Sequence, residues 1–159
     1  APIPVLAAGG IGNGRQVAAA LALGAQGVWM GSAWLTTEEA ETHPVVKEKF
    51  LRASSSDTLR SRSLTGKPAR MLRSAWTEAW EDPSNPRPLP MPLQPRLVRE
   101  AQTRIARAAH KSAGAAELSN YFVGQIVGSL KHVKSVRSVM EELVQEYADT
   151  MERLDDWAK

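Results

Sequence analysis

The strongest constraint on this chain is a stretch near its start, Val5 to Ser32, in which an apolar segment, a glycine cluster, an alanine-rich segment and a second apolar segment follow one another. Val5-Leu6-Ala7-Ala8 is short, does not alternate with polar residues and is bounded by turn formers. That is the pattern of a strand buried on both faces, as in a parallel sheet. Gly9-Gly10-Ile11-Gly12-Asn13-Gly14 reads as a loop. Arg15 to Leu23 predicts a helix, and Gly24 is placed to take the left-handed conformation just past its end. Gly27-Val28-Trp29-Met30-Gly31 predicts a second buried strand. The order and spacing are those of one βαβ unit, whose crossover is expected to be right-handed.

The loop chemistry points to an anion. Glycines remove Cβ atoms, so backbone N–H groups can approach a bulky ligand, and the start of the following helix offers unpaired N–H groups and partial positive charge. Phosphate is the natural ligand. No Gly-Lys-Ser/Thr follows, so the loop is not a Walker motif. Gly10, Gly12 and Gly14 do not form G-x-G-x-x-G, and no acidic residue ends the next strand, which excludes a dinucleotide fingerprint. Met30-Gly31-Ser32 ends the second strand with a small residue and a hydroxyl, a second place to hold the same phosphate. In (β/α)₈ barrels a phosphate commonly sits at the loops after the last two strands. The expected fold is therefore α/β: the C-terminal portion of a TIM (β/α)₈ barrel, its last two βα units in residues 1–36, followed by a mostly helical C-terminal region. The alternative is that Gly9 to Gly14 is only a tight βα loop.

Beyond Ser32 the pattern changes. Residues 37–81 read as a helical and basic segment. Thr36-Thr37-Glu38-Glu39 carries the capping and first-turn acidic signals of a helix start. Pro44 predicts another start, with Val45, Val46, Phe50 and Leu51 on that helix. Leu59 to Met71 reads as irregular, and a short helix is expected near Ala69 to Trp80. Residues 82–95 hold six of the ten prolines and predict an extended loop. Residues 96–159 read as helical. Arg96 to Lys111 forms one helix, and Ser135 to Trp157 another whose stripe of Val136, Val139, Met140, Leu143, Val144, Tyr147, Met151 and Leu154 steps by three and four, as a packing helix does. The chain starts on a strand pattern with no initiator methionine, and a piece of a longer protein is expected.

Composition removes several classes of function. There is no cysteine, so disulfides, thiolate metal sites and cysteine nucleophiles are excluded. No apolar run reaches the roughly 18 residues of a membrane span, and no signal peptide is visible, which makes the cytoplasm the expected compartment. The net charge of +3 is spread along the chain. Its densest basic stretch, Arg52, Arg60, Arg62, Lys67, Arg70 and Arg73, has no interleaved aromatic platform, so no nucleic-acid partner is expected. His43, His110 and His132 have no second histidine at ligand spacing, and no metal site is expected. Glu38-Glu39 and Glu141-Glu142 are adjacent pairs that diverge on a helix and read as solvated charges. Tyr121, Trp76 and Trp80 could line a substrate pocket or simply pack, and packing is the favoured reading.

The run Pro4-Val5-Leu6-Ala7-Ala8-Gly9-Gly10-Ile11, then Gly14-Arg15, Ala18 to Ala25 and Gly27-Val28-Trp29-Met30-Gly31-Ser32, resembles the nitronate monooxygenase family, formerly called 2-nitropropane dioxygenase. The likeness continues through Thr37-Glu38-Glu39-Ala40, His43-Pro44 and Thr65 to Arg70, and resumes at Gly124-Gln125. It covers positions 3–73 well and the remainder loosely. The resemblance implies a barrel that holds FMN non-covalently, with Gly9 and Gly10 in the phosphate loop after strand seven and Trp29, Met30, Gly31 and Ser32 after strand eight. The family often has Thr at the position of Ser32, which keeps the hydroxyl, and Gln at that of Trp29, which must use its backbone or indole instead. Arg15 is expected to pair near the helix start. The implied reaction is oxidation of an alkyl nitronate by molecular oxygen to a carbonyl compound and nitrite, the nitronate and oxygen being the small-molecule partners; a homo-oligomer is compatible with this. The family's histidine lies in an Ala-Gly-Gly-His-type segment upstream of the matching region, so the catalytic residue is unknown here. Two alternatives share the glycine elements: an FMN-dependent enoyl-acyl-carrier-protein reductase, and another phosphate-binding TIM-barrel enzyme.

Overall fold

The computed structural model describes residues 3–159. Strand β1 (Leu6–Ala8) leads through the glycine loop into helix α1 (Gly14–Ala22), which returns to strand β2 (Gly27–Trp29). The strands pair in parallel, Leu6 with Gly27, Ala7 with Val28 and Ala8 with Trp29. Asn13 caps α1 by accepting from the Gln16 N–H at 2.9 Å. Gly24 follows with φ +99°, the left-handed exit expected of it.

The expectation of strands buried on both faces is not met. Val28 and Met30 lie against Val17 and Leu21 of α1 in an apolar groove. Successive residues of a strand point to opposite faces, and the other face is open: Leu6 is 48 % and Trp29 70 % exposed. Only one layer of helices covers this sheet among the described residues.

After β2 the chain makes a 3-10 turn, Ser32–Trp34, pinned by the Trp34 indole N–H donating to the Met30 carbonyl at 2.8 Å. No helix starts at Thr36-Thr37-Glu38-Glu39. Thr36 and Thr37 are buried, the Thr37 hydroxyl donates back to the Trp34 carbonyl, and Thr37 makes a parallel bridge with Lys134. The Glu39 carboxylate accepts the Val136 N–H at 2.9 Å. The acidic signal was a genuine helix-start signal, but it serves a helix almost a hundred residues further along.

Helix α2 (Pro44–Arg52) begins at its proline as expected, with His43 as N-cap. Its buried Val46 and Phe50 join Ala53, Leu72, Val123 and Val127 in the main core. The segment read as irregular is a hairpin: β3 (Thr58–Ser61) pairs antiparallel with β4 (Ala69–Leu72). Two of its buried residues, Thr58 and Ser61, are small and polar, so apolar alternation never announced it. Helix α3 (Ala75–Glu81) starts later than expected because β4 claims Ala69 to Leu72; its capping box joins Ser74 and Thr77. Trp76 is buried and lies 5.9 Å from Trp80, centroid to centroid. Tyr121 is half-exposed, contrary to its reading as a packing residue; it sits edge-on to Phe122 and lines a cavity of about 640 Å³ with His43 and Ile105.

The proline-rich loop ends in α4 (Leu93–Ala108), followed by α5 (Ala113–Leu118), a 3-10 segment Gln125–Ser129, and α6 (Val136–Ala158). Gln94 is fully buried. Its Oε1 accepts the Leu89 N–H at 2.9 Å and its Nε2 donates to the Ser63 carbonyl at 2.8 Å, fastening the loop to the hairpin. Replacing Gln94 with Leu keeps the volume but orphans both backbone groups. The expected cost is about 2 kcal/mol, read as a lower midpoint in urea with an unchanged slope.

Helix α6 packs along α1, but its apolar stripe is only partly covered. Leu143 is buried, whereas Met140, Val144, Met151 and Leu154 are 40 % exposed or more. Met140 and Val144 form one wall of the groove whose other walls are α1 and β2, a volume of about 760 Å³.

Candidate functional site

The two strand ends lie side by side, as parallel pairing of β1 with β2 requires. Gly9 and Gly10 adopt φ +91° and +75°, where a Cβ atom is strained. A Cβ built on Gly9, Gly10 or Gly31 meets nothing within 4 Å. All three therefore border open space that side chains would otherwise fill. Among the described residues, the N–H groups of Gly10, Gly31, Ser32 and Ala33 have no protein acceptor. Bare backbone with unclaimed donors at two neighbouring strand ends suits an anion such as a phosphate.

Most donors at the start of α1 are engaged by the protein itself. The Gly14 N–H is taken by the Glu146 carboxylate at 2.7 Å, Gln16 N–H by the Asn13 side chain, and Gly12 N–H by the Gln16 side chain. Glu146 belongs to α6 and already places negative charge at the helix's positive end. The donors that remain are those of the two loops and the Arg15 N–H of the helix's first turn. Gly12 and Gly14 serve packing instead: a Cβ on Gly14 would overlap the Leu143 carbonyl oxygen and the Tyr147 nitrogen, and one on Gly12 would press on Ile126 at 3.1 Å.

The other sequence-derived site residues divide by role. Trp29, paired with Ala8 across the strands, is 70 % exposed. Met30 packs in the groove and gives its carbonyl to Trp34. Ser32 Oγ accepts the N–H of Gly124 at 2.8 Å. That contact spans 92 positions and brings in a residue that sequence reasoning about phosphate loops did not select; the Gly124-Gln125 pair was noticed only as a resumed likeness. Beside the cradle, Asn13, Ala33 and Thr37 share a polar hollow of about 280 Å³ with Lys131, His132 and Glu142. Its lysines are engaged, Lys134 with Glu142 at 2.6 Å and Lys131 with the Ala53 carbonyl. Shifted titrations lie elsewhere. Burial lowers the Lys49 ammonium, partly offset by Glu117, and the Ser54 N–H and hydroxyl hold Asp57 below the usual carboxylate range. No group of three or more metal-ligating side chains occurs among the described residues, and no helix there is long and apolar enough to cross a membrane.

Fold and site together define an α/β protein with open, glycine-rich carboxyl ends on two parallel strands and a helical region beside them. The nitronate monooxygenase family model matches residues 1–146, and the chain belongs to that family. It is 66 % identical over 154 residues to a Mycobacterium tuberculosis protein described as a monooxygenase, covering 96 % of this chain and 41 % of that one. It is 38 % identical to a Bacillus subtilis protein bearing the nitronate monooxygenase name, over 91 % of this chain and 40 % of the other. The chain thus spans about two fifths of these relatives, and corresponds to their C-terminal part. Among solved structures, the nitroalkane oxidase of Streptomyces ansochromogenes superposes with a TM-score of 0.80 at 29 % identity, over 96 % of this chain and 42 % of that one. FabK of Thermotoga maritima superposes with 0.74 at 33 % identity, over 99 % and 48 %.

Proposed function

We propose that the chain forms the FMN-phosphate end of a flavin-dependent barrel that oxidises alkyl nitronates with molecular oxygen to a carbonyl compound and nitrite. One observation carries the reading: two adjacent parallel strand ends, at Gly9-Gly10 and at Gly31-Ser32, each border open space and carry unclaimed N–H groups. A single phosphate fits that geometry, and no dinucleotide fingerprint accompanies it. When bound, FMN supplies the electron and oxygen chemistry. The chain's own part is to anchor and exclude. Gly10, Gly31, Ser32 and Ala33 offer donors to the phosphate, and Trp29 presents its indole on the sheet face where the barrel interior would lie. The catalytic residue is assigned to the upstream part of the relatives' length, so none is named here.

Barrel geometry also accounts for the open surfaces. On this reading β1 and β2 are the seventh and eighth strands, α1 the seventh helix and α6 the eighth, with residues 38–133 an excursion between β2 and α6. Closing a barrel needs about eight strands. Leu6 and Trp29 then face the interior, and Met140 and Val144 the first βα unit. By itself the 159-residue chain is expected to hold FMN only in roughly the millimolar range, about −4 kcal/mol. The natural vehicle for testing is a chimera that sets residues 3–159 behind the upstream portion of the 66 %-identical mycobacterial relative. Heat release and chromatography of its cofactor should yield FMN; recovery of FAD, or of no flavin, would count against the site.

A second reading is favoured by the FabK superposition: an FMN-dependent enoyl-acyl-carrier-protein reductase. The cradle serves both. Oxygen uptake with propane-2-nitronate supports the first; NAD(P)H oxidation driven by an enoyl thioester supports the second.

A further inference from the structure

We propose that the N–H of Gly124 is a working part of the phosphate site: it fixes the Ser32 hydroxyl as a donor to the ligand, and through it the β3–β4 hairpin sets how tightly phosphate is held. The inference rests on the phosphate reading above. A serine hydroxyl has one proton and two acceptor lone pairs. Ser32 Oγ spends one lone pair on Gly124 N–H at 2.8 Å, and no acceptor among the described residues takes its proton. The N–H therefore excludes one rotation of the hydroxyl and leaves its proton for a neighbour outside the protein, beside the unclaimed N–H groups of Gly31 and Ala33. A donor held in place before the ligand arrives binds more tightly than one that must be ordered.

The position of Gly124 is itself imposed. Phe122 bridges Met71 of β4, and the Val123 N–H donates to the Arg70 carbonyl at 3.2 Å. On the other side, the Ser55 hydroxyl donates to the Gln125 carbonyl at 2.6 Å, and Gly128 lies so close to Ser55 that a Cβ there would overlap its hydroxyl. Val127 is fully buried in the main core. The Gly124 N–H is thus carried on a segment tied to the hairpin on one side and to Ser55 and the core on the other, and reaches Ser32 just past the end of β2. Gly124 is a positioning residue; it acts on the phosphate through Ser32.

The bond is tested at its serine end and by the amide itself, because at Gly124 a proline ring would stand where the N–H points and an alanine Cβ would lie 3.3 Å from Ser32 Oγ. The first readout is the ratio of FMN to riboflavin affinity in the chimera, measured by flavin fluorescence. Loss of one hydrogen bond to a charged ligand is expected to lower that ratio about tenfold in Ser32→Ala, with riboflavin affinity unchanged. Ser32→Thr, which keeps the hydroxyl, should keep the ratio. The second readout is the Gly124 amide resonance of the 159-residue chain. A shift on adding FMN but not riboflavin, lost in Ser32→Ala, supports the proposal; no FMN-specific shift, or one that survives Ser32→Ala, overturns it and leaves the phosphate reading standing. If neither Ser32→Ala nor Gly10→Asp lowers the ratio, the phosphate reading fails and this proposal with it.

Discussion

Gly14→Ala is expected to destabilise the chain by about 3 kcal/mol, the upper part of the range for overpacking. Helix propensity alone predicts the opposite, since alanine is favoured over glycine by up to about 1 kcal/mol in a helix. Packing decides the sign. The new Cβ would overlap the Leu143 carbonyl oxygen and the Tyr147 nitrogen. Both are backbone atoms in the middle of α6, and neither can rotate away as a side-chain tip would. The two helices must separate, which also stretches the Gly14 N–H bond to Glu146. The same substitution at Gly114, where a Cβ meets nothing within 4 Å, should stabilise α5 by several tenths of a kcal/mol. Thermal unfolding of the two variants reads the difference directly. At about 2–4 °C per kcal/mol for a chain of this size, Gly14→Ala should melt about 6–12 °C lower. A melting temperature at or above that of the unaltered chain would show that α1 and α6 are not in the contact described.

The second large effect concerns the ligand. Gly10→Asp should weaken FMN binding in the chimera by at least about a hundredfold while the protein stays folded. Asp and Asn are the residues that best tolerate positive φ, and open space surrounds the position, so the backbone path survives. The carboxylate would lie where the phosphate is proposed to sit. Two unit charges about 4 Å apart at an effective dielectric near 20 repel by about 4 kcal/mol. Gly10→Asn separates charge from shape: it has the same backbone demand and similar size with no charge, and should lose much less affinity. Equal losses for Asp and Asn would mean crowding alone; unchanged occupancy in a folded Asp variant would remove Gly10 from the site.

The βαβ unit was legible because its signals are local. An unbroken apolar run, a glycine loop and a glycine exit each concern residues within a turn or two of one another, and Leu6–Ala8, Gly14–Ala22 and Gly27–Trp29 follow from them. Pro44 announced α2 for the same reason. The β3–β4 hairpin was not legible. Two of its buried residues, Thr58 and Ser61, are small and polar, and its arginines break the alternation a strand is recognised by. Glu39 shows a different failure. A capping acid beside Thr36-Thr37 carries no mark of which helix it will cap, and here it serves α6 across 97 positions. Of the site, the glycines at the two strand ends could be picked out from sequence. The capping of α1 by Glu146 and the tie from Ser32 to Gly124 could not, because each depends on the path of residues 38–133.

That path leaves the sheet and returns to it at one point. Thr37 and Lys134 form a parallel bridge, the Glu38 N–H donates to the Lys134 carbonyl at 2.9 Å, and Glu39 holds the first turn of α6. Bridged residues on neighbouring strands stand about 5 Å apart. The whole excursion is thus attached like a loop with a closed neck, and a change of length anywhere along it need not alter the distance between β2 and α6. Such a segment is free to be lengthened, shortened or exchanged between proteins while the packing of α6 on α1 stays in register, provided that whatever replaces it still presents an N–H to Ser32.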